Sequence, residues 1–140
     1  MNIKRKGFYV IEGNPIAQQR HRHTKRGFTY DPLSNEKKVT RLQIKSQQKK
    51  KLLTEGSVYM FITFYMKRPK SHYRTGKFSH MLKSDEEINH TKKPDIDNLC
   101  KYLFDCCSKV LFKDDSQICS LTALKMYSDN PRTEFTVQRI

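Results

Sequence analysis

Five of the eight aspartates in this chain lie in one segment of 23 residues, Lys93–Asp115, which reads KPDIDNLCKYLFDCCSKVLFKDD. The chain as a whole is basic, with 28 Lys and Arg against 14 Asp and Glu and a formal net charge of +14. Carboxylates crowded together raise each other's pKa unless a cation neutralises them. Oxygen ligands completed by water and a substrate phosphate are what Mg²⁺ prefers. The segment is therefore either an ordinary helix with acidic ends or a metal site.

The apolar spacing predicts a helix that starts at or just after Pro94, because the residue before a proline is disfavoured in helical conformation. One side of this helix carries the spacing of a core-facing stripe: Leu99, Leu103, Cys106, Cys107 and Val110. At 100° per residue, three side chains lie within about 80° of Asp97 on the opposite side: Lys101, Asp105 and Ser108. Asp97, Lys101 and Asp105 should therefore point away from the core along one line.

Two interpretations of the acids stay open at this point. Asp97 could cap the helix and form i, i+4 pairs through Lys101 to Asp105, while Asp114 and Asp115 form a turn. Alternatively, the carboxylates of Asp95 and Asp97 converge just before the helix, and the chain past its end returns to the same edge of a sheet. The second arrangement would hold a metal ion.

Length and composition restrict the class of protein. A chain of 140 residues is long enough for one domain with a real core. No run approaches the roughly 18 apolar residues of a membrane span, and the N-terminus has no apolar signal region, so we expect a cytoplasmic protein without membrane association. The four cysteines contain no C-x-x-C pair, which favours reduced structural thiols over a zinc site or a disulfide framework.

Basic residues gather in three stretches, around QQRHRHTKRGFTY, KSQQKKK and MKRPKSHYRTGK, and two of these are interleaved with aromatic rings and histidines. Clustered positive charge attracts phosphates, and planar rings can stack on bases. The predicted partner is therefore nucleic acid. The candidate contacts are Arg20, Arg22, Lys25, Arg26, Lys67, Arg68, Lys70, Arg74 and Lys93.

The pattern along the chain predicts a single α+β domain, with a small mixed β-sheet and helices in two layers and an order of roughly β-α-β-α-β-β. The first strand is Gly7–Gly13, and a helix runs from Ser34 or Asn35 to about Leu53. Val58–Lys67 is largely apolar at both its even- and its odd-numbered positions, which is typical of a central strand covered on two sides. Residues 68–93 form a long loop. Gln117–Ser128 and Thr133–Ile140 are the last two strands, joined by the turn DNPR.

The acidic segment resembles the RusA-type Holliday-junction resolvases, small endodeoxyribonucleases of bacteria and of their phages and prophages. The family pattern K-P-D-x-D-N-L-x-K, an Asp four residues on, and D-D-x-Q with an aliphatic residue after it are all present here: Lys93, Pro94, Asp95, Asp97, Asn98, Leu99, Lys101, Asp105, Asp114, Asp115, Gln117 and Ile118. The similarity extends loosely over the N-terminal part, through GNPIAQQRHR and GFTY.

This resemblance implies a homodimer that binds a four-way DNA junction and makes paired symmetric cuts during recombination and repair. It implies Mg²⁺, with Mn²⁺ as a substitute, and no small-molecule cofactor. The implied metal ligands are Asp95, Asp97 and Asp115, with Lys101 as the essential lysine. Asp114 is less suited than its neighbour Asp115, while Asp105 and Asn98 are expected to support the site or the structure.

Two alternatives remain. A basic phage protein that binds nucleic acid without catalysis would use the aspartates structurally, and a related nuclease would act on flaps or forks. The complete set of Asp95, Asp97, Lys101 and Asp115 favours the junction endonuclease, because a binding protein has no reason to keep carboxylates beside phosphate.

Overall fold

Two pieces of β-sheet and two helices make up the structure, a computed structural model that describes residues 6–84 and 86–140. The strands are β1 (Lys6–Glu12), β2 (Arg22–His23), β3 (Thr29–Tyr30), β4 (Val58–Lys67), β5 (Ile118–Ser128) and β6 (Arg132–Arg139). The helices are α1 (Ser34–Gln47) and α2 (Ile96–Cys107). Apart from the small β2–β3 hairpin, the element order is the predicted β-α-β-α-β-β, and the α+β class is confirmed.

The main sheet has the strand order β1-β6-β4-β5. β4 pairs in parallel with β5 and antiparallel with β6, and β1 is antiparallel to β6. The parallel pair needs a long crossover, and α2 lies within that connection. The sheet is therefore mixed, as predicted, and β4 occupies its centre.

One face of the sheet is covered by the helices and forms the core. Along β4 the even-numbered residues are buried: Val58, Met60, Ile62, Phe64 and Met66. They meet the inward stripe of α2, where Leu99, Leu103, Cys106 and Cys107 are at most 2% exposed and Val110 is 6% exposed. The predicted apolar stripe of α2 is confirmed, and the helix packs on the sheet with the side that its apolar spacing predicts.

The opposite face of the sheet, here called the open face, is not covered by a helix. It carries the side chains of Phe8, Val10, Tyr59, Phe61, Tyr65 and Leu124, as the strand register shows. Phe8 is 59% exposed and Phe61 is 38% exposed. The prediction that β4 is covered on both sides is therefore wrong, because only the even-numbered residues meet the helices.

Helix α1 ends at Gln47, earlier than the predicted end near Leu53. Gln48 already has an extended backbone, and its side-chain amide donates to the Val110 carbonyl at 2.7 Å. Leu53 instead pairs with Phe112 in an isolated bridge. The buried positions of α1 are Lys37, Thr40 and Ile44, so the helix stops where its last buried turn stops.

The predicted long loop at 68–93 is largely irregular, but it is anchored to the sheet. It contains two short 3₁₀ turns, at Lys70–His72 and Gly76–Phe78. Its last part runs along β5, where His90 N–H donates to the Lys125 carbonyl at 3.0 Å and Tyr127 N–H donates to the Ile88 carbonyl at 2.8 Å. The loop thus occupies part of the outer edge of β5.

All four cysteines are free, as predicted for reduced thiols. Burial raises the pKa of Cys100 and of Cys106 to about 11, so both thiols stay protonated and pack as small apolar groups. Within the described part of the chain, no helix is long and apolar enough to cross a membrane.

Replacing Leu103 with alanine should lower the free energy of unfolding by about 2–5 kcal/mol, because the change leaves a cavity between α2 and the sheet. Urea unfolding measures the loss. The matched control is Leu42→Ala on α1, where the side chain is 66% exposed and the change should stay within about 0.5 kcal/mol. Equal losses in both variants would contradict the packing described here.

Candidate active site

The first turn of α2 presents two exposed carboxylates. Asp95 is the last residue before the helix and has an extended backbone with φ −72° and ψ 146°. Its carbonyl accepts from Leu99 N–H at 3.2 Å, while its side chain makes no capping bond. Asp97 lies in the first turn with its side chain 65% exposed. Between them Ile96 packs partly into the core, so the two acids flank an inward residue and both face solvent.

Lys101 lies one turn further along α2 and is the neighbour of Asp97. Its Nζ is 3.9 Å from Asp97 Oδ2, and the lysine side chain is 63% exposed. An exposed i, i+4 pair of this kind contributes roughly 0.3–0.5 kcal/mol. The ammonium is therefore weakly held and can move to another anion at little cost.

Asp105 is the third outward residue of the predicted line, and it is engaged elsewhere. Its Oδ2 accepts from Lys37 Nζ at 2.9 Å, and its backbone carbonyl accepts from Arg41 Nη2 at 3.2 Å. These contacts join the C-terminal half of α2 to α1. Asp105 was expected to support either the site or the structure, and its contacts are those of a structural link between the helices.

Lys37 is the buried centre of this contact, with 5% of its side chain exposed. Besides Asp105, its ammonium donates to Asp31 Oδ2. Asp31 also accepts from Leu33 N–H at 2.9 Å. Burial alone would lower the pKa of Lys37, but the bonds to Asp31 and Asp105 outweigh it and raise that pKa. Likewise burial would raise the pKa of Asp31, and the Lys37 and Leu33 bonds lower it.

Asp115 begins the 3₁₀ turn Asp115–Gln117 that precedes β5, and Asp114 is the residue directly before that turn. Asp114 caps this turn: its carboxylate accepts from the hydroxyl and the N–H of Ser116, and these bonds lower its pKa. Gln117 Oε1 accepts from Asp114 N–H at 3.0 Å and completes a capping box. Asp115 is exposed and makes no side-chain hydrogen bond or ion pair with another described residue.

The three predicted metal ligands lie on two elements, with Asp95 and Asp97 at the start of α2 and Asp115 in the turn that precedes β5. Over residues 6–84 and 86–140, no group of three His, Cys, Asp or Glu side chains is placed to hold a metal ion. The structure brings Asp95, Asp97 and Lys101 to one helix end, and it leaves Asp115 in the turn that follows α2. Two carboxylates still fit a hard cation, because Mg²⁺ is commonly bound by one or two carboxylates together with waters and substrate phosphates.

A lysine of β5 holds the backbone that leads into the acidic pair. Lys125 Nζ donates to the carbonyls of Lys92 at 2.6 Å and Pro94 at 2.7 Å. Lys125 faces the helix-covered side of the sheet, opposite Phe64 in the strand register. Sequence reasoning missed this lysine. The signal was available, because Lys125 lies on the same face of β5 as Ala123 and Tyr127, two residues to either side of it, and that face is directed toward the helices.

The predicted DNA-binding residues fall into two groups. Arg20, Arg22, Lys25 and Arg26 are exposed on or beside the β2–β3 hairpin. The chain entering this hairpin is tied to α2, because Gln18 N–H donates to the Asn98 carbonyl at 2.9 Å. The hairpin is therefore anchored to the same helix turn that carries Asp97.

The second group lies beyond β4. Lys67, Lys70 and Lys93 are exposed. Arg68 is half-buried, donates to the Glu87 carbonyl at 3.0 Å and lies 5.2 Å from the centre of the Tyr127 ring, so its guanidinium is engaged within the loop. Arg74 is exposed and stacks on Phe78 at 4.6 Å.

The sequence matches the family described as Endodeoxyribonuclease RusA over residues 12–138. The chain belongs to the RusA endodeoxyribonuclease family. This confirms the family predicted from the acidic segment, and RusA-family activity is endonucleolytic cleavage of branched DNA junctions. A relative from Bacillus subtilis (strain 168), described as uncharacterized protein YqaN, is 30% identical over 137 residues, which cover 94% of this chain and 95% of the relative.

Lys37→Met should destabilise this RusA-family chain by about 1–3 kcal/mol at pH 7, because Asp31 and Asp105 lose a charged donor. The folded-state pKa of Asp31 lies below its ordinary 3.8, so the stability from this contact is present above that pH and is lost as pH falls through the folded pKa. The difference between variant and wild type should therefore shrink as pH falls below 3.8 and through the folded-state pKa of Asp31.

Urea unfolding at several pH values measures this difference. The control is Lys38→Met, which removes the same charge from the exposed neighbour on α1 and should show a small difference at every pH. A Lys37→Met difference that is constant with pH would show that Lys37 acts through packing alone.

Proposed function

We propose that this chain is a Mg²⁺-dependent endonuclease that acts in the cytoplasm as a homodimer and resolves four-way DNA junctions by paired symmetric cuts. One observation supports the proposal above all: two exposed carboxylates and a weakly held lysine share the first turns of α2. An acidic pair on a strongly basic protein that contacts DNA is unfavourable unless a cation is bound there.

In the proposed site, Asp95 and Asp97 hold the metal, and Mn²⁺ can replace Mg²⁺. When bound, the ion supplies Lewis-acid stabilisation of the phosphate and a water of lowered pKa. Asp115 is proposed as a further ligand, carried by the short turn that precedes β5.

Lys101 is proposed to act on the scissile phosphate. Its ammonium is exposed, it lies one turn from Asp97, and its present ion pair is weak. It can therefore turn toward a phosphate oxygen and stabilise the charge that builds there during cleavage. Lys125 supports the site from the other side, because it fixes the carbonyls of Lys92 and Pro94 directly before Asp95.

Basic residues on two sides of the acidic pair are proposed to bind the DNA backbone: Arg20, Arg22, Lys25 and Arg26 on the hairpin, and Lys67, Lys70, Arg74 and Lys93 after β4. Arg68 is proposed to support the loop through its contacts, in addition to any phosphate contact. Phosphate contacts position the duplex without reading its sequence. Junction choice would then depend on shape and on the spacing of two sites in the dimer.

Asp95→Asn should reduce cleavage of a synthetic four-way junction by more than about 100-fold, given that even loss of an outer-shell partner costs 10–100-fold. Junction binding should persist or tighten, since one negative charge beside the DNA is removed. Cleavage is measured on gels in Mg²⁺ with junction, flap and linear duplex side by side, and binding is measured by fluorescence anisotropy.

Glu55→Gln serves as the control, because Glu55 is an exposed acid in the loop before β4 and its loss should leave the rate unchanged. Full activity in Asp95→Asn would eliminate the metal-site proposal. A wild-type protein that binds all three substrates and cuts none would support the alternative of a binding protein, and preferential cutting of the flap would support the flap nuclease.

The triple variant Arg22→Ala, Lys25→Ala, Arg26→Ala should weaken junction binding and flatten its salt dependence. The slope of log K against log salt should fall by up to about 0.9 for each phosphate contact removed. Binding titrations over about 50–200 mM salt measure this slope.

The matched control removes three exposed lysines from the segment after α1, as Lys49→Ala, Lys50→Ala and Lys51→Ala. Both triple variants change the net charge equally, so only a local contact makes the hairpin variant weaker. Equal slopes in the two variants would contradict the proposed hairpin interface.

A further inference from the structure

A cleft beside the first strand, here called the β1 cleft, lies at the end of the fold remote from the acidic pair. It is lined by residues 6–9, residues 47–51 and the side chains of Leu53, Leu111 and Val137. Its volume is about 360 Å³, within the range of about 300–1,000 Å³ that is usual for ligand sites. Leu111 follows the C-terminus of α2, so the 12 residues of that helix, about 18 Å in length, separate the cleft from the acidic pair.

The floor of the β1 cleft is apolar and its rim is cationic. Leu53, Leu111 and Val137 are at most 9% exposed and belong to the core. The rim carries four exposed lysines: Lys6, Lys49, Lys50 and Lys51. A DNA backbone could meet this rim, but it has no large apolar group to fill the floor. The surface therefore favours an anionic ligand that also carries a large apolar side chain.

Tyr9 brings an unpaired hydroxyl to the cleft. The residue is 7% exposed, and its ring stacks on Phe135 at 5.2 Å between ring centres. The ring lies over Gly7, where an added Cβ would come within 2.8 Å of the Tyr9 hydroxyl. That hydroxyl makes no hydrogen bond with another described residue, although buried polar groups normally have a partner. A ligand in the cleft can supply the missing acceptor.

The strand edge beside the cleft is free to pair. Gln47 occupies this edge at Val10: its Oε1 accepts from Val10 N–H at 2.8 Å, and its Nε2 donates to the Val10 carbonyl at 2.7 Å. Backbone groups alternate in direction along a strand, so those of Phe8 point to the same outer side. The N–H and carbonyl of Phe8 make no hydrogen bond with another described residue. An extended peptide can therefore pair with β1 as far as Phe8, and Gln47 stops it there.

We propose that the β1 cleft binds an extended acidic segment of a partner protein, with one large apolar side chain of that segment in the cavity. The segment adds to the edge of β1 at Phe8, which is a common way for a sheet to bind a peptide. Side chains of a strand alternate between its faces, so one of them enters the cavity beside Tyr9. The neighbouring carboxylates meet the lysines at 49–51. The first five residues of this chain, MNIKR, are basic and lack the charge that the rim attracts.

Binding at the β1 cleft leaves the proposed nuclease site free. The acidic pair lies at the opposite end of α2, and the basic hairpin is tied to that end through the bond between Gln18 and Asn98. DNA and the partner segment thus occupy different parts of the chain and can be bound together. The cleft attaches the nuclease to a second protein without competition from DNA.

Fluorescence anisotropy with a labelled synthetic peptide tests the proposal. The probe has one central leucine flanked on both sides by aspartates, and it should bind wild type saturably. Replacing its leucine with serine should weaken binding roughly 10- to 100-fold, because the cavity is no longer filled. Replacing its aspartates with asparagines should abolish binding. A probe that does not bind, or that binds equally well without its leucine, would overturn the proposal.

The two triple variants used for junction binding separate the cleft from the hairpin. The variant that lacks the lysines at 49–51 should bind the peptide about tenfold more weakly, because three cations of the rim are gone. The hairpin variant has lost the same net charge and should bind the peptide as wild type does. An equal loss in both variants would overturn the proposal, since binding would then depend on net charge alone.

DNA is the competing occupant of the cleft, and the same two variants identify it. If loss of the lysines at 49–51 weakened junction binding as much as loss of the hairpin cations, and left peptide binding unchanged, the cleft would be a DNA surface and the proposal would be wrong. None of these measurements uses a nuclease assay. A chain that binds the peptide at the cleft but cuts no DNA would therefore contradict the proposed function alone.

Tyr9→Phe tests the unpaired hydroxyl. The variant should retain the free energy of unfolding of wild type, because the hydroxyl has no partner to lose in the free chain. It should bind the peptide about 2- to 10-fold more weakly, which corresponds to the loss of one hydrogen bond. Unchanged peptide affinity would overturn the placement of the segment beside Tyr9.

Backbone methylation of the peptide tests its pairing with β1. The N–H groups of an extended strand alternate between its two edges. Two peptides that carry N-methyl groups on alternate residues, in opposite phase, therefore have opposite edges blocked. Only one of the two should lose binding, and equal affinity of both would overturn the proposed strand addition.

Discussion

Burial of the α2 stripe against one face of the sheet decides where the other groups of this chain lie. Leu99, Leu103, Cys106 and Cys107 have one way to leave water, and they take it against the even-numbered residues of β4. Because the side chains of a helix are locked in phase, the residues on its far side must then face solvent. Asp97 and Lys101 are exposed as a consequence of core packing. The core therefore fixes the direction in which the first turn of α2 presents its acidic side chains.

Lysines in this chain serve opposite purposes that depend on their surroundings. The ammonium groups of Lys37 and Lys125 each donate to two acceptors within the chain. Lys37 thereby links α1 to α2, and Lys125 fixes the backbone directly before Asp95. Lys101 and the hairpin cations are exposed and weakly engaged, so they can rearrange around an anion. Burial explains the case of Lys37, whose side chain is 5% exposed, since a desolvated ammonium must be fully paired and a solvated one need not be.

Periodic patterns in the sequence were sufficient to predict the helices and strands that bury a single apolar stripe. The stripe of α2, the strand length of β4 and the order of the elements were all predicted, and so was the family. The end of α1 was misjudged because Lys and Gln are good helix formers whether or not they are packed. The hairpin was missed because two-residue strands have no period.

The side of β4 that carries Tyr59, Phe61 and Tyr65 shows a different limit. Apolar residues at both the even- and the odd-numbered positions of a strand indicate that both of its faces avoid water. The pattern does not say whether a helix of the same chain or a second molecule covers each face. Lys37 and Lys125 were not picked out either, because residue type alone does not distinguish these two lysines from the other 26 basic residues. Three of their partners, Asp105, Lys92 and Pro94, are distant in sequence, and that proximity exists only in the folded chain.

The burial of three of the four thiols has a practical consequence. Cys100, Cys106 and Cys107 are enclosed in the core, while Cys119 is exposed at the start of β5, four residues after Asp115. A thiol-reactive fluorophore should therefore attach at a single natural position beside the turn that carries Asp115. The unmodified sequence thus already contains a handle from which movement of that turn can be followed in real time as DNA arrives.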